Sequence, residues 1–259
     1  MTQSSPVTLT LERGLKVLRA FRAERVPLTN SELVRRTGLS KSTVSRLTMT
    51  LVGLGFLRRV AGGPQFELAG GPLGIGHAYL ETNAVTRLAH PFMQQLADRL
   101  NASVALAVPN QLDMLYIAYR TSTRIATLRL GVGSLLPMGL TAIGRAWLWG
   151  LPKDARADYV ASVIEAAGPQ AGDIRKNIEA AFDDLRETGV CMSVGEYQRN
   201  AYGIALPLSV GRAGMLMALN CGAVELRPDV ESIRASMVPE LKAAAVELMV
   251  LLRDVGTEA

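Results

Sequence analysis

The 259-residue sequence predicts an α+β protein in two parts: a small helical module closed by a hairpin, and a larger part in which strands bracket a helical block. Three observations lead there. Residues 28–59, LTNSELVRRTGLSKSTVSRLTMTLVGLGFLRR, describe two short helices across a tight turn and then a strand. Charge is segregated: residues 1–70 carry eleven Lys and Arg against four Asp and Glu, a net of +7, whereas the remaining 189 carry 17 against 19, a net of −2. Beyond residue 100, strand-like runs alternate with polar turns, yield to helical periodicity between 141 and 188, and then return, which is the pattern of a largely antiparallel sheet with helices on it.

The first helix is expected from the apolar stripe Leu11, Leu15, Leu18 and Phe21, with Val17, capped by Thr8 or Thr10. The second begins at a capping box, Thr29 with Glu32 three residues on, and ends at Gly38, where a turn between helices needs a residue tolerant of positive φ. Ser40 caps a third helix from Lys41. Its residues Val44, Leu47, Leu51 and Leu54 recur on one core-facing side, leaving Lys41, Ser42, Thr43, Ser45, Arg46 and Thr50 outward. That outer side is short, polar and basic, suited to phosphates and to base edges in a major groove, where Arg offers two parallel donors to guanine. Residues 56–60 and 65–68 form a hairpin about the tip Ala61-Gly62-Gly63-Pro64. Arg58 and Arg59 alternate across that strand, so one of them is expected to meet the DNA backbone, and Arg58 is assigned the role.

The module over residues 1–70 is therefore read as a winged helix-turn-helix that binds double-stranded DNA through Arg13, Thr29, Ser40, Lys41, Ser42, Thr43, Ser45, Arg46, Thr50 and Arg58. Taken alone, the third helix is also compatible with an ordinary solvated face. The basic charge gathered on the same module favours the polyanion reading.

A linker helix is expected over residues 71–84, after the glycine-rich join GGPLGIG, and a second domain over 85–259. There a helix from Thr86 to Leu100 carries Leu88, Phe92, Leu96 and Leu100 on one stripe. Strands follow at Ala102–Val108, Met114–Arg120 and Ile125–Leu130, then helices over Thr141–Ala166 and Asp173–Thr188. Further strands come at Val190–Val194, Ile204–Leu208 and Met215–Leu219, and a last helix over Asp229–Arg253.

Enzyme signatures are missing: no GxSxG, GxxxxGK[ST], HExxH or post-strand GxGxxG occurs, and two histidines leave little for acid–base work. Cys191 and Cys221 lack the spacing of a disulfide framework or a zinc site and read as buried, reduced core residues; no cofactor or metal is expected. No apolar run reaches the roughly 18 to 20 residues of a membrane span. The start MTQSSPVTLT lacks the basic and apolar regions of a signal peptide, so a cytoplasmic location is expected.

Over essentially its whole length the chain resembles the IclR family of bacterial transcriptional regulators. The matching stretches are LERGLKVLRAF, GLSKSTVSRL, LRLGVGSLLPMGLTAIGRAWL, GVCMSVGEY and YGIALPL, in the same order. The resemblance implies a winged-helix domain joined by a helical linker to a GAF-like effector domain that binds a small molecule and assembles a homodimer or homotetramer. Carried across residue by residue, it implies a pocket wall of Leu128, Leu136, Met138, Ala142 and Ile143, with a polar end of Ser193, Glu196, Gly203, Asn220 and Gly222. Independently of the family, Thr141-Ala142-Ile143 opens a helix after Pro137, and free N–H groups at a helix start favour an anion. Measured against the family it resembles, the chain has Gly203 and Gly222 where some members carry larger side chains, which implies extra room. The expected function is a DNA-binding regulator responding to a small, acidic organic compound. The alternatives are a winged-helix regulator whose second domain only oligomerises, and an enzyme domain, using Glu196 with Arg199 or Ser193, fused to a DNA-binding module.

Overall fold

A computed structural model describes residues 8–21, 26–123 and 130–256, and the chain divides into two compact units, residues 1–82 and 83–259.

The first unit runs α1 (Leu9–Arg19), β1 (Leu28–Thr29), α2 (Asn30–Thr37), α3 (Lys41–Gly53), β2 (Leu57–Arg59), β3 (Gln65–Leu68) and α4 (Gly71–Thr82). The capping box forms as expected: Thr29 N–H donates to Glu32 Oε2 at 2.7 Å, and Glu32 N–H donates to Thr29 Oγ1 at 3.2 Å. Gly38 closes α2 at φ 68°, a conformation that disfavours any residue with a Cβ. β1, β3 and β2 pair antiparallel into the wing sheet. Val17, Phe21, Leu28, Leu33, Val44, Leu47, Leu51, Leu57 and Phe66 make the core. The expected α1 stripe is half right. Val17 and Phe21 are buried, whereas Leu11 and Leu15 face an apolar groove completed by Leu47, Thr50 and Leu51 of α3 and by Leu54 at its C-terminal cap. A heptad-like spacing specifies one side of a helix, but a three-helix module is too small to cover all of it.

The second unit holds α5 (Ala84–Leu100), β4 (Ser103–Asn110), β5 (Asp113–Thr121), β6 (Leu135–Pro137), α6 (Ala142–Gly150), α7 (Lys153–Ala166), α8 (Ala171–Thr188), β7 (Cys191–Val194), β8 (Ala201–Val210), β9 (Met215–Val224) and α9 (Val230–Leu251). The strands form one sheet, order β6-β5-β4-β9-β8-β7, antiparallel at every pairing. Its two faces differ in side-chain size. Val104, Leu106, Ile204, Leu206 and Leu219 face α5 and α9, while Ala105, Ala107, Ala205 and Ala218 face α6 and α8. Period-two alternation separates the sets, and the alanines let α6 lie close against the strands.

Several boundaries move. The linker helix ends at Thr82, and Asn83 caps α5 through Thr86 N–H at 3.1 Å, so the division falls two residues before the expected one. On α5 the buried line is Val85, Ala89, Met93, Leu96 and Leu100, and Leu88 is exposed. The helical block over 141–166 is two helices broken at Leu151-Pro152, where the residue before proline is pushed to extended backbone, Leu151 at ψ 150°. The expected strand Ile125–Leu130 lies, except for Leu130, outside the described residues.

Candidate functional site

Two surfaces carry the sequence-predicted residues. On α3, Ser42, Ser45 and Arg46 are exposed and point away from Val44, Leu47 and Leu51, and Lys41 stands exposed at the helix start. Other members of the set have partners within the module. Thr29 Oγ1 donates to Glu32 Oε2 at 2.8 Å while accepting from Glu32 N–H, so the capping box occupies its hydroxyl. The Thr29 N–H bond to Glu32 Oε2 foremost, then the Thr29 hydroxyl bond to the same oxygen, hold the Glu32 carboxyl below its ordinary range. Ser40 Oγ accepts from Thr43 N–H at 3.3 Å and donates to Thr43 Oγ1 at 2.9 Å. Thr50 donates to Arg46 O at 3.0 Å and lies on the groove beside α1. Arg13 is exposed on α1. On the wing, Arg58 pairs with Glu67 across the hairpin at 2.9 Å. Arg59 shares the face of Leu57, lays its guanidinium 5.4 Å from the Phe66 ring centre, and donates to Met49 Sδ of α3 at 3.3 Å. Neither partner of Arg59 was expected, because period-two alternation separates two adjacent arginines without saying which lies beside α3.

In the second unit a cavity opens between the small-residue face of the sheet and the start of α6. Of the expected wall, Leu136, Ala142 and Ile143 line it, as do Ser193, Glu196, Gly203, Asn220 and Gly222 of the polar end. Two members need correction or a limit. Met138 is fully buried in the core beside α6 and does not reach the cavity, and Leu128 lies outside the described residues. Sequence reasoning missed the aromatic lining: Tyr116, Tyr119, Tyr197 and Tyr202, with Tyr116 and Tyr119 stacked at 6.0 Å. A signal was available, since Tyr116 and Tyr119 sit in a strand-like run and Tyr197 and Tyr202 lie between two others, Val190–Val194 and Ile204–Leu208.

The polar end is more heavily committed than its composition suggests. Ala142 N–H donates to Ser193 Oγ at 3.1 Å and Gly144 N–H to Thr141 Oγ1 at 3.4 Å, which leaves the Ile143 N–H as the group of that first turn that no described side chain caps. Glu196 is bound from behind. Arg145, its side chain 2% exposed, donates Nη1 to Glu196 Oε1 at 2.8 Å and Nη2 to Oε2, and sends Nε and Nη2 to Gly139 O at 3.1 and 2.8 Å. Asn177 adds a third bond to Glu196 Oε2 at 2.8 Å. With both oxygens engaged, Glu196 is a fixed part of the wall. Nothing cationic lines the cavity among the described residues.

The glycines do not open space as expected. A Cβ on Gly222 would lie 2.3 Å from Tyr202 O, so this glycine is required by the close β8–β9 approach. Beside Gly203 the room is taken by Asn220 Oδ1, 3.0 Å from where a Cβ would stand. Asn220 pairs with Ala105 and Ala205 on its flanking strands, and these small neighbours let its amide lie over the sheet at the cavity. Tyr116 is 97% buried, and no described group hydrogen-bonds its hydroxyl; burial foremost, then Tyr119 and Tyr197, raises its pKa. Cys191 and Cys221 are free and buried, their thiols pushed up to about 12 by burial, so they are core residues as expected.

Comparison with known proteins agrees with both halves of this geometry. The family model described as the IclR helix-turn-helix domain matches residues 10–61, and that described as the bacterial transcriptional regulator IclR C-terminal matches residues 77–250. An IclR family transcriptional regulator from Brucella abortus superposes with a TM-score of 0.86 at 33% identity, covering 96% of this chain and 95% of that one. The Pca regulon regulatory protein of Pseudomonas putida is 28% identical over 242 residues, 92% of this chain and 82% of its own length. An IclR homolog from Microbacterium hydrocarbonoxydans, solved in complex with 4-hydroxybenzoate, shares the fold at a TM-score of 0.65 and 23% identity over 94% of this chain and 98% of that one. With a basic winged helix in one unit, an antiparallel sheet enclosing a cavity in the other, and family matches spanning both, the chain belongs to the IclR family of DNA-binding transcriptional regulators.

Proposed function

We propose that this regulator is ligand-responsive: a small aromatic acid binds in the cavity at the start of α6 and changes its affinity for DNA, controlling genes for catabolism of that compound. The observation that carries this reading is the cavity at the start of α6, where Tyr116, whose hydroxyl has no hydrogen-bond partner among the described residues, stacks on Tyr119 in the lining. A few polar groups in an otherwise apolar lining give a ligand that bonds to them its orientation and specificity. The stacked Tyr116 and Tyr119 suit a flat ring. The carboxylate is received by the Ile143 N–H at the helix start and by the Asn220 amide, since the described lining offers no cation. The relative solved with 4-hydroxybenzoate supports an acid of this size and shape.

The DNA-facing set is Lys41, Ser42, Ser45 and Arg46, with Thr29, Ser40, Thr43 and Thr50 engaged in bonds within the module, Arg58 paired with Glu67 and Arg13 exposed on α1. One winged helix has a small interface, so the protein works as a homodimer or homotetramer that reads half-sites roughly 34 Å apart or a multiple of that. Its place of action is the cytoplasm, and no described helix is long and apolar enough to cross a membrane.

The test is calorimetry with 4-hydroxybenzoate and benzoate, paired with a DNA-binding titration at fixed salt. Expected are binding in the wild type, its loss in Ala142→Leu, and a shift of DNA affinity within about 5- to 150-fold. No heat from either acid, or equal affinity in the variant, would overturn the assignment.

A further inference from the structure

The outward side of α3 holds one residue that does not belong with its neighbours. Met49 is 48% exposed among the exposed polar residues Lys41, Ser42, Ser45, Arg46 and Thr50 of the same helix. At about 100° per residue, Ser42 and Met49 lie within about 20° of each other, with Ser45 and Arg46 about 40–60° to either side of Ser42. Leu51, Val44 and Leu47 lie opposite. Met49 therefore occupies the middle of the exposed face. Its polar neighbour is on the wing: Arg59 Nη2 donates to Met49 Sδ at 3.3 Å, and the Arg59 guanidinium lies 5.4 Å from the Phe66 ring centre.

We propose that Met49 is a base-reading residue, in apolar contact with the C5-methyl of a thymine in the major groove, and that Arg59 binds the phosphate beside it. The occupant follows from charge and chemistry. The module's net +7 selects a polyanion, and on an exposed DNA-facing helix the base feature that an apolar side chain recognises is the thymine methyl. Arg59 spends one donor on the sulfur and keeps the rest of its fork for a phosphate. Arg58, alternating to the opposite face, is neutralised by Glu67. This assigns the wing contact to Arg59 in place of the Arg58 expected from sequence.

Duplexes enriched from a random-sequence library by the full-length protein supply the probe. Each thymine is then replaced singly by deoxyuridine, which removes the methyl group alone. Wild type should lose roughly fourfold in affinity at one position per half-site, the worth of about one buried methyl. Met49→Ala should show no thymine–uracil difference there, and Met49→Leu should keep it. Met49→Gln, of similar length, stands in should the alanine variant fold poorly by circular dichroism. Arg59→Ala should weaken all duplexes similarly, flatten the salt slope by about one unit, and keep the thymine preference. The proposal is overturned by a wild type indifferent to every replacement, by a thymine–uracil difference that survives in Met49→Ala, by an enriched site with no constant thymine, or by an unchanged salt slope in Arg59→Ala.

Discussion

Removing the Glu196 carboxylate tests whether this residue belongs to the scaffold or to the ligand. In the structure it receives two bonds from the Arg145 guanidinium and one from Asn177, and Arg145 is buried with Gly139 O as its other recorded acceptor. Glu196→Ala leaves a buried cation half-paired and the Asn177 amide without its acceptor. Breaking a buried pair from one side is destabilising by about 3–5 kcal/mol, and because Glu196 is 21% exposed the lower end applies, about 3 kcal/mol. For a unit of this size each kcal/mol moves the midpoint by roughly 2–4 °C, so thermal unfolding of the second unit should fall by roughly 6–12 °C. Arg145→Met with Glu196→Leu replaces the pair by apolar groups and should recover most of that loss. A fall under about 2 °C for Glu196→Ala, or a double variant no better than the single one, would refute the scaffold assignment.

Arg46→Ala should weaken operator binding by roughly 1–3 kcal/mol and relax base preference, whereas Lys41→Ala should weaken all sequences alike and lower the salt slope by about one unit; DNA titrations across salt separate the two. Thr29→Ala removes the α2 cap and should lower the stability of the first unit by about 1 kcal/mol in denaturant unfolding, with no change in base preference. Because the Glu32 carboxyl is held below its ordinary value of 4.5, its contribution to that cap is complete above pH 4.5 and is lost as pH falls through the lowered value, which amide exchange of α2 across pH should follow. Gly203→Leu should displace the Asn220 amide and abolish ligand binding while DNA affinity without ligand stays close to wild type. Gly222→Val should instead push β8 from β9 and destabilise the second unit, a contrast that thermal unfolding with and without ligand reveals.

The amino-acid sequence by itself determined the features set by near neighbours along the chain. The Thr29–Glu32 box, the positive-φ Gly38 and the Ser40 cap are interactions over three or four residues, so their spacing is their geometry. The antiparallel sheet was legible in the order of strand-like runs around a helical block, and the basic charge of residues 1–70 needs no coordinates. Tertiary structure decided what depends on partners far apart in sequence. Arg145 and Glu196, 51 residues apart, meet only because α6 packs beside the β7 end of the sheet, and that contact turns an expected ligand group into a fixed wall. Gly222 reads as spare room until Tyr202 O is seen against it, and Leu11 and Leu15 read as core until the module proves too small to cover them. Whether Arg58 or Arg59 flanks α3 is likewise a matter of which strand face the helix abuts, a choice that alternation leaves symmetrical and packing breaks.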